Sequence, residues 1–238
     1  MSETDDIIRF GPTGPEDTGL EEWETMDPAG LVSGTPVQRG HIYHQDEEAG
    51  YLTGIWDCTA FTAPMGPYGE DEFMLLLEGS LIMKMPDGEE ITINEGDAFV
   101  IPKGLECQWI QPGYVRKVFM ILDGPVPADA DAPSLTRITV PDLKTAPSGG
   151  IEALRIDFTN AAGNMQIGLR ACAAENLPAR PVRENLLIHV LEGGLQLTSG
   201  GKTVQFVPGE TAYIRQDSVV GWRTEAGTHL LQATYASA

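Results

Sequence analysis

Few residues in this 238-residue chain are of the kinds that grip metal ions or attack substrates: it has four histidines and three cysteines. His41 and His44 form the one close histidine pair, in the run HIYH. Side chains three apart share a face in a helix. The neighbours here read as strand or loop, so both are expected to be surface or hydrogen-bonded histidines, with a ligand pair as the alternative. His189 sits in an apolar strand and is expected to be a core histidine satisfied by a hydrogen bond. His229 falls near a strand start. Cys58, Cys107 and Cys172 are widely separated and no CxxC occurs, which suits a reducing compartment better than a disulfide framework. Glu72 stands out for a different reason. It leads into the apolar run Phe73–Leu77, and a carboxylate carried into an apolar interior must be paired, hydrogen-bonded or protonated. Tyr68, Lys84, Gln108, Trp109 and Lys117 are its candidate neighbours. Such a glutamate serves either as a general acid or base or as a structural hydrogen-bond partner, for example to Tyr68.

The elements that must position these residues are short strands. Leu52–Thr62 is β-rich, Phe73–Leu77 and Leu81–Met85 are apolar runs separated by Glu78-Gly79, and Pro86-Asp87-Gly88 is a turn signal. β-branched and aromatic residues at Ile91, Ile93, Phe99 and Ile101 mark flanking strands. The chain then says nearly the same thing again. LLLEGSLIMKMPDGEEITINEGDAFVIPKGLECQW is answered by HVLEGGLQLTSGGKTVQFVPGETAYIRQDSVVGW, with Trp109 matching Trp222, Gly96 matching Gly209 and Gly79 matching Gly193. Two copies of a β-rich unit predict a tandem fold, and evenly spaced short strands predict sandwiches or barrels. The expected layout is an acidic arm over residues 1–35, a first barrel over 36–122, a linker over 123–134 and a degenerate second barrel over 135–238. Trp23, Ile7 and Ile8 are placed to pin the arm to a barrel or a partner subunit. The edge strands of each unit need covering, for which a homodimer is the common answer.

Two stretches of the first copy carry a family resemblance. Gly96-Asp97, four residues, then Pro102-Lys103-Gly104 resembles the second cupin signature, and Glu72, six residues, then Gly79 resembles the end of the first. The wider text resembles the branch that includes ureidoglycine aminohydrolase and the ethanolamine-utilisation cupin. The resemblance covers residues 52–122 and, in degenerate form, 154–235. It implies an all-β protein of two tandem double-stranded jelly-roll barrels, a bicupin. In metal-binding relatives two histidines precede the Glu72 position; here they fall on Gly66 and Tyr68, or on Met65 and Pro67. The third histidine falls on Cys107, where the aminohydrolase branch has Gln. Glu72 and Cys107 would be the ligands of any manganese, iron, nickel or zinc ion and the catalytic candidates, although Glu and Cys alone supply too few ligands. No cofactor is therefore expected. A Cys107 thiolate would need a nearby base or cation, so an inert buried thiol is the alternative. In the second copy Glu72 becomes Leu186, Cys107 becomes Val220, Gly66 becomes Arg180, Tyr68 becomes Val182 and Pro102 becomes Arg215. That half reads as structural or partner-facing; the alternative is an anion pocket lined by Arg180 or Arg183.

Inward positions alternate along a strand, so if Glu72 faces the interior, Met74 and Leu76 follow, and Trp109 follows residue 107. The expected ligand-binding set is Tyr68, Glu72, Met74, Leu76, Cys107 and Trp109, lining a cavity for a small, partly polar metabolite. Two further readings are an aminohydrolase-like enzyme acting on a small amino or ureido compound, and a non-catalytic interaction protein. The charge of −20 argues against nucleic-acid and anionic-membrane partners. The first residues, MSETDDIIRF, lack the basic start and apolar run of a signal peptide, and no stretch approaches the roughly 20 apolar residues of a membrane span, so a cytoplasmic location is expected.

Overall fold

The computed structural model describes residues 6–139 and 153–237. Residues 1–5, 140–152 and 238, which include the head of the expected arm and the entry to the second barrel, lie outside the described residues. The chain divides into two compact units: Gly11–Thr139, and Met1–Phe10 together with Val140–Ala238. Both are β-structures, and the only helical pieces among the described residues are the single 3-10 turns Pro15–Asp17 and Pro28–Gly30.

One long strand organises the first unit. Asp71–Lys84 pairs through its first half with Val115–Leu122 and Ala98–Ile101. Past Gly79 it pairs instead with Glu90–Asn94 and Glu106–Gln111. One strand thus serves both walls of a jelly roll, and the two apolar runs that the sequence separates at Glu78-Gly79 are halves of it. Gly79 bends the chain rather than ending it. Its φ is 85°, and a Cβ there would lie 2.0 Å from the Tyr114 carbonyl oxygen. Around this strand lie Tyr51–Cys58 and Gln38–Asp46, each antiparallel to the next. Met74, Leu76, Leu81, Met83 and Ile93 are buried in one core between the walls, the alternation expected of a filled barrel.

The second unit repeats the plan. Asn185–Glu192 lies between Thr211–Ile214 and Thr228–Tyr235, and Met165–Cys172 follows Thr228–Tyr235. The opposing sheet runs Glu175–Pro181, Val219–Thr224, Leu195–Ser199, Lys202–Phe206. Its own core includes Ile188, Val190, Leu197, Phe206 and Leu230. Both copies carry a bulge at one register position: Leu77 is passed over between Glu78↔Arg116 and Leu76↔Lys117, and Leu191 between Glu192↔His229 and Val190↔Leu230. A bulge re-aims the side chains beside it on its own strand; on the strand opposite this one, Lys117, Phe119 and Ile121 face the cavity.

The exposed ladders of two equivalent strands are covered from within the chain. Thr136–Ile138 adds to Ala98–Ile101 in the first unit, and Ile7–Phe10 adds to Thr211–Ile214 in the second. The arm read from the sequence over residues 1–35 is therefore divided, because its apolar patch Ile7–Phe10 completes one ladder while Trp23 packs over Gly40 in the other unit. Arg9 fastens the first contact, with its guanidinium 2.5 Å from Glu210 and 4.3 Å from the Phe206 ring centroid. A variant lacking residues 1–10 is expected to lose about 2 kcal/mol or more from the second unit, from four paired residues and their net hydrogen bonds. Hydrogen exchange should show the amides of Thr211–Ile214 deprotected and the first unit unchanged; unchanged protection of that strand would disprove the role.

Candidate functional site

The first barrel holds a cavity of about 480 Å³. Alternate residues of neighbouring strands face it: Leu52 and Trp56, Glu72, Trp109, and Lys117, Phe119 and Ile121, with Trp23, Phe61, Tyr68 and Glu70 from connecting segments. Its polar centre is a buried ion pair. The Lys117 ammonium donates to Glu72 Oε1 at 2.8 Å, and both side chains are under a tenth exposed. The Tyr68 hydroxyl donates to the other carboxylate oxygen, Oε2. Lys117 Nζ also lies 3.2 Å from the Met74 sulfur and 4.7 and 4.9 Å from the ring centroids of Trp56 and Trp109. Two indole faces and a carboxylate thus replace the water this cation has lost; a desolvated cation over an aromatic ring is worth about 2 kcal/mol.

The tryptophans are themselves fixed. Trp56 Nε1 donates to Gln38 Oε1 at 3.1 Å, and Trp109 Nε1 donates to Gln111 Oε1 at 3.1 Å. Gln111 in turn donates to the Cys58 carbonyl at 2.8 Å, so the Trp109 ring is held in place through the backbone of a neighbouring strand. Phe61 stacks on Trp109 at 6.3 Å between centroids. Burial first, then Glu72, pushes the Tyr68 hydroxyl well above its ordinary pKa, so it remains a donor. Burial first, then Glu72, also raises the Glu70 carboxyl.

Of the residues expected from the sequence, Tyr68, Glu72 and Trp109 meet at this cavity. Met74 touches it only through Lys117, and Leu76, 1% exposed, belongs to the core behind. Cys107 is buried opposite Gly66, its thiol pushed up to about 11 chiefly by burial, and it is not among the cavity-lining residues. Of the candidate neighbours of Glu72, Lys117 and Tyr68 are its partners, whereas Lys84 faces Glu90 at 3.7 Å and Gln108 donates to the Ala63 carbonyl at 3.0 Å. Sequence reasoning passed over Trp56, Phe61 and Glu70. Trp56 comes to the site as the strand partner of Lys117, a register that places the ring beside the ammonium and that no local sequence pattern encodes.

His41 and His44 lie in the strand Gln38–Asp46, on either side of Tyr43; His41 packs edge-on against that ring at 4.6 Å. His189 Nδ1 lies 2.9 Å from Thr211 Oγ1, and burial lowers its pKa to about 4. Among the described residues no group of three His, Cys, Asp or Glu side chains could hold a metal ion. At the Glu72 position both carboxylate oxygens are occupied, by an ammonium and by a phenol. Gly66 and Pro67 bring no donor side chain, and a thiol with its pKa near 11 is a poor ligand at neutral pH. These residues do not fit a divalent ion; a lysine cation stands against the carboxylate instead.

Jelly-roll barrels with this signature define a cupin-fold protein. Residues 46–119 match the EutQ-like cupin domain family. The whole chain is similar to a protein of unknown function of the DUF861 family from Pseudomonas syringae pv. tomato, with TM-score 0.73 and 16% identity over 96% of this chain and 98% of that one. It is similar to a cupin 2 conserved barrel domain protein from Leptotrichia buccalis, with TM-score 0.64 and 11% identity over 92% and 98%. It is also similar to a salicylate 1,2-dioxygenase from Pseudaminobacter salicylatoxidans, with TM-score 0.54 and 13% identity over 79% and 71%. No curated protein matches the chain. No helix among the described residues is long and apolar enough to cross a membrane.

Proposed function

We propose that the first barrel binds a small metabolite without a tightly held metal. The observation that carries this reading is the Lys117–Glu72 pair set among aromatic rings at the wall of a 480 Å³ cavity. Apolar walls with a few fixed polar groups are the usual form of a small-molecule site. Charge says which polar end fits. One ammonium faces two carboxylates, Glu70 and Glu72, and the Glu72 oxygens already accept two hydrogen bonds. Glu70 is the acceptor still open, since it makes no hydrogen bond or ion pair among the described residues. The ligand is therefore a compound with N–H donors at one end and a flat or apolar body that lies against Trp23, Trp56 and Trp109.

A second reading is an enzyme acting on a small amino or ureido compound. It rests on the Tyr68–Glu72–Lys117 chain, in which a carboxylate between two proton carriers can pass a proton to a bound substrate. The two readings part on metal and turnover. The protein is expected to keep far less than one equivalent of manganese, iron, nickel or zinc after dialysis against chelator. A panel of small alkyl and aryl amines, amides and ureas should contain compounds that saturably quench tryptophan fluorescence, with affinity weakened about tenfold by Trp23→Ala. Tight stoichiometric metal would sink the metal-free reading. No saturable binder at millimolar concentration would sink the small-molecule reading and leave a non-catalytic interaction protein.

A further inference from the structure

The second barrel has its own cavity, about 580 Å³, and its charge is inverted. Among the described residues three arginines line it, Arg170, Arg180 and Arg183, and no acidic side chain does. In a chain of net charge −20 with 15 basic residues against 35 acidic, three cations round one cavity are not what a general acidic surface produces.

The strand registers of the two barrels explain how the inversion arises. In the first, Lys117 pairs across the strands with Trp56; in the second, Leu230 pairs with Arg170. The cation has moved one strand over. It still meets the tryptophan at the same depth: Lys117 Nζ lies 4.9 Å from the Trp109 centroid, and the Arg170 guanidinium 5.5 Å from that of Trp222. The position of Glu72 itself carries no carboxylate in the second barrel. Glu72 pairs with Ile121 in the first barrel, and at the matching place Leu186 pairs with Thr234. Gly66, opposite Cys107, is replaced by Arg180 opposite Val220, which brings a further cation to the cavity. Arg180 and Arg183 are exposed and make no hydrogen bond or ion pair among the described residues. The acid on the adjoining strand is Glu175; it acts on Cys172, as Arg170 does, and forms no ion pair among the described residues. The indole N–H of Trp222 is buried with no acceptor among the described residues.

We propose that the second barrel is a binding site for a small organic anion: a carboxylate or phosphate group held by Arg170, Arg180 and Arg183, with an apolar body against Trp222 and Val182. Guanidinium forks match the paired oxygens of either anion, and the apolar walls exclude a ligand that is all charge. The site is independent of the first barrel's reading, because every residue in it belongs to the other unit.

The test uses the full chain with methyl NMR on Leu177, Val182, Leu186 and Val220, the methyl-bearing residues among those described at this cavity. Benzoate, phenyl phosphate, inorganic phosphate and benzylamine are the probes. Benzoate or phenyl phosphate, or both, should shift these methyls saturably, and which of the two binds tighter identifies the anion. Benzylamine, with the same body and opposite charge, should leave them in place, and inorganic phosphate should bind at least tenfold more weakly than phenyl phosphate. Arg180→Gln with Arg183→Gln, at exposed positions that leave the core intact, should weaken the better anion about tenfold. The proposal is overturned if neither organic anion shifts the methyls, if benzylamine shifts them equally, if inorganic phosphate binds as tightly as phenyl phosphate, or if the double variant binds unchanged.

Discussion

Lys117→Met is expected to destabilise the first barrel by about 3–5 kcal/mol, the loss that follows when one partner of a buried ion pair is removed. Methionine keeps the length and most of the volume of the lysine stem, so packing changes little. The loss comes from Glu72, whose side chain is only 5% exposed and would retain the Tyr68 hydroxyl as its sole strong donor. Glu72→Leu should do comparable damage from the other side, stranding an ammonium that two indole faces stabilise only in part. The double variant Lys117→Met with Glu72→Leu should recover most of the loss, because an apolar pair of similar volume carries no desolvated charge. Denaturant unfolding followed by fluorescence reads this barrel directly, since Trp23, Trp56 and Trp109 lie in it and only Trp222 lies in the other unit. A single-variant loss below about 1 kcal/mol would mean that the pair is screened as a surface pair is, and the closed polar centre would not exist. Adding Glu70→Gln to this double variant removes the last charge among the described lining residues of the cavity, and the folded triple variant should no longer bind the N–H-bearing ligands of the first barrel.

How much of this was legible follows from what kind of signal each feature leaves in a sequence. The barrel strands show themselves in β-branched and aromatic runs bounded by turn residues, and the repeat marks the two barrels. Glu72 was legible because a charge beside the run FMLLL demands a partner. Its partners were legible only as a short list, and choosing Lys117 over Lys84 depends on the bulge that skips Leu77, which periodicity does not reveal. The strand Asp71–Lys84 read as two, because Glu-Gly looks like a terminus when it is a bend made by contact with a chain segment 35 positions further on at Tyr114. Ile7–Phe10 read as part of an arm because a single strand carries no sign of which ladder it completes, and its partner Thr211–Ile214 lies at the far end of the chain. The second cavity had one visible sign, the arginines at 180 and 183. Arg170 joins them through a cross-strand register that no local pattern encodes. Local chemistry is therefore readable from the chain, whereas the pairing of charges across strands is not.

Gly79→Ala is expected to remove about 4 kcal/mol from the first barrel, combining a left-handed backbone with a steric clash. The residue sits at φ 85°, and the added methyl would fall 2.0 Å from the Tyr114 carbonyl oxygen and 3.3 Å from the Val115 Cα, both backbone atoms that no side-chain rotation can clear. At the matching Gly193 the φ is 76°, and the nearest atom is the Thr228 hydroxyl at 2.4 Å, which can rotate away, although the Thr228 Cα stays at 2.8 Å. Gly193→Ala should therefore be milder by a measurable margin, and it should act on the second unit. The two units allow separate transitions, and in a unit the size of Gly11–Thr139 a loss of 4 kcal/mol lowers the melting temperature by roughly 15 °C. Scanning calorimetry with fluorescence detection should show the tryptophan-reported transition fall in Gly79→Ala and hold nearly steady in Gly193→Ala. The effect should also reach the site: Gly79 faces Val115, two residues before Lys117, beside the bulge at Leu77. Below its lowered transition Gly79→Ala should thus bind first-barrel ligands less tightly, whereas Gly193→Ala should bind them normally. Equal losses in both variants, or intact binding in Gly79→Ala, would show that this bend does not set the lysine's position.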